Sequence, residues 1–405
     1  MKYLIVVLLI FTGFYVKAQQ TYAINGTVSD ESGKAIARAT IFITGSKLVT
    51  ITNDAGKFSF NNIQPGTYEL AVKMLGFTPD VQDIKVKNND INISVTLKQS
   101  SITLNTVVIN GAPDPNREKY LDRFLENFLG QTVNAQQCKL LNPDVLHFHF
   151  HRSSNTLQAT ADDFLIVENK ALGYKIRYLL TGFEVTDAVC TIAGSSYFEE
   201  MKGTEKQQKK WEENRRIAYL SSSRHFFKAV MDNTVKEDGF TVYEVIKDPS
   251  VLRKLNDTAI LDVITFYPMG LPDFVPRNKS NMLYAIKIAN VDGLFDADQK
   301  NFKTLKHDTA RMGLFVLYTR VDQSPLFYKT GNPIDLSIKS PLFTPKQLNN
   351  MQISHITPMM DSVTIDRNSE WPQKGFDYFG YWSWLRIADL TPLDYFVDPM
   401  EEKKK

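Results

Sequence analysis

The first part of the chain, residues 22–98, consists of short segments in which hydrophobic and polar residues alternate. Alternate residues of a β-strand share a face, so each segment predicts a strand with one buried face. The alternating residues are Ile24 and Val28, Ile41 and Ile43, Val49 and Ile51, Phe58 and Phe60, Tyr68, Leu70 and Val72, and Ile91, Ile93, Val95 and Leu97. Because short strands of this kind cannot enclose a core as one sheet, the pattern predicts an all-β sandwich of two packed sheets.

The second part, residues 116–400, combines helical and strand patterns and follows a linker at 99–115. Asp114 and Pro115 suit the N-cap and first position of a helix, and Gly130 suits its end. Helical spacing also occurs at 204–232 and 383–390. Alternation predicts strands at 145–151, 164–168, 173–180, 183–191, 240–246, 259–266, 282–289 and 312–318. We therefore predict an α+β domain with an antiparallel sheet.

The first 18 residues have the pattern of a cleavable secretory signal peptide. Lys2 precedes an apolar run at 4–15, and Val16 and Ala18 occupy the small-residue positions before a cleavage site, which we place before Gln19. The run is shorter than the ~20 residues that a membrane-spanning helix needs. We expect an exported protein, periplasmic or associated with the outer membrane, with no transmembrane segment in the mature chain.

The charge of the chain argues against nucleic acid as a partner. The formal net charge is only +2, from 47 basic and 45 acidic residues, so the chain has no electrostatic field that would recruit nucleic acid.

Cys138 and Cys190 are the two cysteines, and in an oxidising compartment they form either one disulfide or two buried free thiols. Sequence alone leaves both alternatives open.

Several phrases in residues 22–98 resemble the carboxypeptidase regulatory-like domain: Gly26-Thr-Val-Ser-Asp30, Thr52-Asn-Asp-Ala-Gly-Lys-Phe58, Pro65-Gly-Thr-Tyr68 and Leu75-Gly-Phe77. The resemblance implies a transthyretin-like (prealbumin-like) sandwich and a non-catalytic accessory role. Ala35 and Arg38 stand where the family usually has Pro and Gly. No His-x-x-Glu or His-Glu-x-x-His motif accompanies the domain, so the peptidase that gives the family its name is not predicted.

Two further resemblances concern the cellular location of the protein. Residues 103–111 resemble the short strand that follows this domain in TonB-dependent receptors of the Gram-negative envelope, although the likeness is limited to the front of the chain. Residues 142–146, 167–176 and 380–390 resemble the body of uncharacterised envelope proteins that carry the same domain. These resemblances imply an envelope protein and attach no activity to it.

Three histidines in the run His147-Phe-His-Phe-His151 are the most unusual local feature. On a strand His147, His149 and His151 share one face, and Phe148 and Phe150 share the other. Three imidazoles can bind zinc, but the outer two are ~13 Å apart on a regular strand, so a site would need a bulge and a further ligand. We weigh a zinc or pH-sensitive site against a solvent-facing polar strip, and the spacing favours the strip. No other cofactor is predicted.

An aromatic cluster near the C-terminus is the second candidate site. It includes Trp371, Tyr378, Tyr381 and Trp382 and could bind carbohydrate or an envelope protein, because exposed aromatic faces stack on apolar ligand surfaces. The alternative is that these residues fix the end of the chain to the core, with Arg386 and Asp389 as an anchoring pair.

These features favour a non-enzymatic envelope protein with a sandwich module and a partner- or ligand-binding second domain. The alternative is a metal-dependent or other hydrolase with its site near the histidine strand. An enzyme should have a concave pocket with convergent titratable groups in the second domain, whereas a binding module should present an apolar or aromatic face.

Overall fold

The computed structural model describes residues 20–100, 114–187, 189–246, 263–266, 283–287, 291–299, 302–306, 311–331, 350–366, 370–371 and 375–397. The predicted signal peptide and most of the predicted linker lie outside these ranges. Within the described residues, no helix is both long and apolar enough to cross a membrane.

The N-terminal region is the predicted β-sandwich. Its strands are β1 (Tyr22–Asp30), β2 (Thr40–Ile43), β3 (Val49–Ile51), β4 (Lys57–Ile63), β5 (Gly66–Lys73), β6 (Asp80–Val86) and β7 (Ile91–Leu97). One sheet has the order β4-β1-β7, with β1 antiparallel to β4 and parallel to β7, and the other has the order β3-β2-β5-β6. The alternating residues Ile24, Val28, Phe58 and Phe60 meet in what we call the sandwich core, as the period-two pattern predicts.

The first half of the second region is one helix on a six-stranded sheet. The elements are α1 (Arg117–Leu129), β8 (Cys138–Leu140), β9 (Leu146–His151), β10 (Thr156–Ala161), β11 (Leu165–Asn169), β12 (Tyr174–Val185) and β13 (Cys190–Glu200). The order is β8-β11-β12-β10-β9, with β13 also paired to β12. The sequence predicts two strands, 173–180 and 183–191, and this division is wrong. The first strand, β12, continues past residue 180 with a bulge between Leu180 and Gly182, and the chain then turns into β13.

Two helices follow, α2 (Glu205–Leu220) and α3 (Ser223–Asp232), where the sequence predicts one helical region. Ser222 separates them because its hydroxyl accepts the N–H of His225 and caps α3. The cap predicted for α1 is also displaced: Asn116 is the N-cap, while Asp114 accepts the N–H of Asn116 at 2.9 Å in the preceding turn.

The remaining elements build the antiparallel sheet that the sequence predicts. They are β14 (Phe240–Ile246), β15 (Val263–Phe266), β16 (Leu283–Lys287), β17 (Phe295–Gln299), β18 (Phe302–Lys306), β19 (Arg311–Tyr318), α4 (Phe327–Thr330), β20 (Gln352–Pro358), β21 (Ser362–Ile365), β22 (Glu370–Trp371), β23 (Phe376–Gly380) and α5 (Tyr381–Trp384). The main sheet has the order β15-β16-β14-β19-β20-β23, and a smaller one has the order β17-β18-β21-β22.

The second region buries its side chains in two clusters. The first-sheet core lies between α1 and the β8–β13 sheet, and the second-sheet core lies between α3 and the β14–β23 strands. Helix α2 contacts both cores, since Ala218 belongs to the first and the adjacent Tyr219 to the second. The limits of the predicted domain, 116–400, stay a prediction. A junction between two cores is a common place for a ligand site.

The sandwich is docked on β13 through the turn after β2. Gly45, at φ 74°, donates its N–H to the carbonyl of Ser196 at 2.6 Å, and Phe198 donates to the carbonyl of Ser46 at 2.9 Å. A positive φ favours glycine, which gives the turn its shape. Beside these bonds, the fully buried Phe42 packs between Phe164 and Tyr197, with ring centroids 5.7 and 5.0 Å away.

We expect Phe42→Ala to loosen this contact without damaging the sandwich core. Ile41 and Ile43 face that core, whereas Phe42 faces the second region. Truncation of a buried Phe costs about 3–5 kcal/mol, so the thermal unfolding midpoint of the full chain should fall and the sandwich should unfold as a separate transition. Calorimetry measures both effects. Ile51→Ala, at a residue that is 61% exposed, is the control, and an equal effect there would contradict the prediction.

Candidate functional site

A pocket of about 240 Å³ lies between the first-sheet and second-sheet cores. Its lining comes from four segments, at residues 132–134, 214–221, 321–324 and 381–389. These segments are distant in the sequence, so the pocket exists only in the folded chain. We call it the junction pocket.

Helix α2 forms one wall of the junction pocket, and its position is set by the turn before β12. Trp211 Nε1 donates to the carbonyl of Lys170 at 2.9 Å, Asn214 Nδ2 to Ala171 at 2.7 Å and Arg215 Nε to Leu172 at 2.7 Å. Three donors spaced over about one turn of a helix fix both its position and its rotation. Asn214, one of these donors, also lines the pocket, together with the next turns of α2.

The opposite wall is the segment that follows β23. Gly380 has φ 74°, which directs the chain into the single turn of α5. Trp384 Nε1 donates to Thr330 Oγ1 at 3.0 Å, and the ring of Tyr381 lies 5.2 Å from that of Phe327. Tyr381 and Trp384 line the pocket while remaining almost fully buried.

Asp389 is the ionisable group at the inner end of this segment and is 7% exposed. Thr132 Oγ1 donates to its two oxygens at 3.0 and 3.1 Å, and Asn134 Nδ2 donates to Oδ1 at 2.9 Å. The backbone N–H of Arg386 approaches Oδ2 at 3.4 Å. The predicted Arg386 and Asp389 pair is thus joined through the backbone of Arg386, and no ion pair between the two side chains occurs among the described contacts.

Burial raises the pKa of Asp389 to about 6, and the bonds from Asn134, Thr132 and the Arg386 backbone lower it only in part. Burial likewise raises the pKa of Tyr381, with a further contribution from the nearby Asp389 charge. A carboxyl group whose pKa is shifted by burial in a pocket is a candidate for function. Sequence reasoning missed this role, because no local pattern reports that Thr132 and Asp389 meet.

A larger concavity of about 680 Å³ lies on the sandwich, over the β4-β1-β7 sheet. It is open and lined mainly by short polar side chains such as Asn25, Thr27, Ser59 and Ser94, with Lys57 as the ionisable group. Ser59 Oγ donates to Asn25 Oδ1 at 2.8 Å. We consider the junction pocket the better candidate, because it is more enclosed and contains two carboxylates, and enclosure strengthens electrostatic interactions.

The histidine strand is β9, and its three imidazoles face outwards as predicted. Phe148 and Phe150 face inwards against Tyr120 of α1, with ring centroids 6.3 and 5.3 Å away. His147 Nε2 lies 2.6 Å from Asp162 Oδ2, and His151 Nε2 lies 3.3 Å from Gln158 Oε1. The rings of His149 and His151 are 4.3 Å apart between centroids.

A zinc site on this strand stays a prediction. In the part of the chain that the structure describes, no three His, Cys, Asp or Glu side chains are arranged to hold a metal ion. None of the three histidines lines the junction pocket.

The four predicted aromatic residues separate into different environments. Tyr381 lines the junction pocket. Trp382 is buried against Phe226 at 5.6 Å, and Tyr378 packs beside it at 6.3 Å. Trp371 belongs to β22, and its side chain lies outside the described part of the structure. The cluster therefore does not form one exposed platform among its described members.

Both cysteines carry free thiols in the structure. Cys138 pairs with Asn169, and Asn169 pairs with Tyr174 at the start of β12. Cys190 pairs with Val185 at the other end of β12, so the two cysteines lie at opposite ends of this long strand. A disulfide needs Cα atoms within about 7 Å of each other. The register therefore favours the free-thiol alternative of the two that the sequence leaves open.

Comparison with known proteins identifies the N-terminal region. Residues 24–109 match the family model of the CarboxypepD_reg-like domain, so this region is similar to that domain. The match covers nearly all of the predicted sandwich and confirms the resemblance in the sequence. No curated protein matches the chain.

Solved structures match only a small part of the chain. A 3-chlorocatechol 1,2-dioxygenase from Rhodococcus opacus 1CP is 10% identical over 20% of this chain and 61% of its own, with a TM-score of 0.18. The major pilin subunit BcpA of Bacillus cereus is 15% identical over 20% of this chain and 31% of its own, also with a TM-score of 0.18. The chain thus spans less than two thirds of these structures, and the likeness carries no functional argument.

We expect Asp389→Asn to remove a pH dependence of stability. The folded state holds the Asp389 proton more tightly than the unfolded state, with a pKa of about 6 against 3.8, so its contribution is fully present below pH 4 and is lost as the pH rises through 6. The loss should be about 3 kcal/mol. Urea unfolding between pH 4 and pH 7 measures it. The exposed Asp361→Asn should behave like the wild type, and an unchanged wild-type slope in Asp389→Asn would refute the prediction.

We also expect two free thiols in each chain. After denaturation without reductant, 5,5′-dithiobis(2-nitrobenzoate) should titrate both Cys138 and Cys190. In the folded protein the reaction should be slow, because burial raises the pKa of Cys138 to about 12 and that of Cys190 in the same direction. A titration of no thiols in the denatured monomer would instead indicate a disulfide.

Proposed function

We propose that this protein is an exported, non-enzymatic protein of the cell envelope, in which the sandwich is an accessory module and the second region binds a small ligand. The junction pocket carries the proposal. It lies between two cores, it is lined by segments from four parts of the chain, and it contains a buried carboxyl group with a raised pKa. A concave pocket with titratable groups is also what the hydrolase alternative requires, so the choice of binding over catalysis rests on the side chains that line it.

The lining of the pocket supports binding over catalysis. Its described side chains include the hydroxyl groups of Thr132, Ser221 and Ser324 but no His, Lys or Cys. A hydroxyl nucleophile needs an adjacent base to take its proton. Among these hydroxyls, Thr132 has such a base in the Asp389 carboxylate, but Thr132 is only 3% exposed and its Oγ1 also accepts the N–H of Ala135 at 3.1 Å, so the bond serves the fold. Gln352 Nε2 donates to Ser221 Oγ at 2.9 Å, so the Ser221 hydroxyl accepts a bond from an amide and not from a base.

Export and the envelope location are supported by the signal-peptide pattern of residues 1–18 and by the CarboxypepD_reg-like domain that follows. The sandwich contributes no side chain to the junction pocket. Its docking on β13 through backbone hydrogen bonds and the Phe42 contact suits a supporting role. The second region therefore carries the specific function in this proposal.

Two exposed valines provide a matched test of the binding site. Val133 lines the pocket and is 52% exposed, whereas Val189 is 62% exposed and does not line it. Because both side chains already face solvent, Trp at either position should be tolerated, but Val133→Trp should obstruct the pocket.

The full-length precursor is expressed with its leader, and the mature protein is purified from the periplasmic fraction. It is incubated with a small-molecule extract of cell envelopes and analysed by native mass spectrometry. Wild type and Val189→Trp should retain the same small molecules, and Val133→Trp should retain at least tenfold less. Equal retention by Val133→Trp, or no retention by any of the three, would refute binding in the junction pocket.

A further inference from the structure

The junction pocket has an unbalanced negative charge. Its described lining includes two carboxylates, Asp322 and Asp389, and no Lys, Arg or His. Asp389 is buried at the inner end, and Asp322 is exposed on the loop before α4. A cleft lined by charge of one sign attracts ligands of the opposite sign.

The carboxylate of Asp389 also retains hydrogen-bonding capacity. Its Oδ2 atom shares the single hydroxyl proton of Thr132 with Oδ1, and its other donor is the Arg386 backbone N–H at the long distance of 3.4 Å. A carboxylate has about four acceptor positions in all. Oδ2 can therefore accept a further donor from a bound ligand.

Among the described residues, the groups that face Asp389 supply no positive charge. They are Cys138 from β8, Tyr381 from α5 and the backbone of Arg386 from its own turn, with Asn134 and Thr132 from the loop after α1. Burial raises the pKa of Cys138 and of Tyr381, so both are neutral near pH 7. Asp322 is the other acidic side chain of the pocket.

Two aromatic side chains complete the site. Tyr381 and Trp384 line the pocket with ring centroids 5.5 Å apart. Aromatic rings together with a carboxylate are the usual receptors for ammonium and guanidinium groups, because the ring quadrupole attracts a desolvated cation. A volume of about 240 Å³ is below the range for drug-sized ligands and suits a compact molecule.

We infer that the junction pocket binds a small organic cation, held by the carboxylates of Asp389 and Asp322 beside the rings of Tyr381 and Trp384. This inference rests on the proposed binding function and names the class of its ligand. The cation supplies the charge that the protein itself does not provide for Asp389.

Matched pairs of probes test the charge requirement. Choline is compared with its neutral isostere 3,3-dimethyl-1-butanol, and n-butylammonium with 1-butanol, by isothermal titration calorimetry on the full mature chain. At pH 7.5 at least one cation should bind at least tenfold more tightly than its isostere. At pH 5 Asp389 is about nine-tenths protonated, so the cation's affinity should fall about tenfold.

Two variants separate the carboxylate from general charge effects. Asp389→Asn should bind the cation at least tenfold more weakly at pH 7.5 and lose the pH dependence, while the exposed Asp361→Asn should match the wild type. Circular dichroism checks that both variants are folded. The inference is wrong if no cation exceeds its isostere, or if Asp389→Asn binds as tightly as the wild type.

Failure of the cation inference can be distinguished from failure of the proposed binding function. If Val133→Trp loses envelope molecules that prove to be neutral or anionic, the pocket is a binding site and the cation inference alone is refuted. If no envelope molecule is retained by the wild type and no cation probe binds, both are refuted.

Discussion

The guanidinium group of Arg224 holds the C-terminal segment, residues 381–397, in place. It donates to the carbonyl oxygens of Thr391 at 3.0 Å, Pro392 at 2.6 Å and Tyr395 at 2.6 Å. Loss of solvent lowers the pKa of Arg224 to about 10, and carbonyl oxygens, the Thr391 hydroxyl and the nearby Asp394 charge offset part of the lost hydration.

The held segment connects the two cores of the second region with the sandwich. Tyr381 and Trp384 belong to the second-sheet core, Ile387 to the first-sheet core, and Leu393 donates its N–H to the carbonyl of Gly45 in the sandwich at 2.7 Å. Lys47 adds an exposed ion pair with Asp394 at 3.1 Å, whose contribution is small in solvent. The junction pocket thus depends on contacts that also join the sandwich to the second region.

Local pattern could predict the sandwich and the faces of β9 but not the junction pocket. Ile24 and Phe58 alternate with polar neighbours because each strand has one face in a core, and Phe148 and Phe150 are separated from the histidines for the same reason. Asp389 is distinguished by its contact with Thr132. Because Thr132 is 257 residues away in the sequence, no local pattern could predict that contact. The displaced cap at Asn116 reflects local competition between two turn-forming side chains, Asp114 and Asn116, which sequence alone cannot rank.

The burial of Asp389 is a stability cost, since its charged form is less stable in the folded chain than in water. A leucine-like side chain between two apolar cores would avoid that cost, and Ile387 in the same turn shows that the site accommodates apolar packing. Proteins retain such groups where they serve recognition or chemistry. The same reasoning does not apply to His147, His149 or His151, because those imidazoles face solvent and their exposure costs the fold nothing. The distinction between a costly buried group and an inexpensive exposed one is the physical reason for locating the function at the junction pocket.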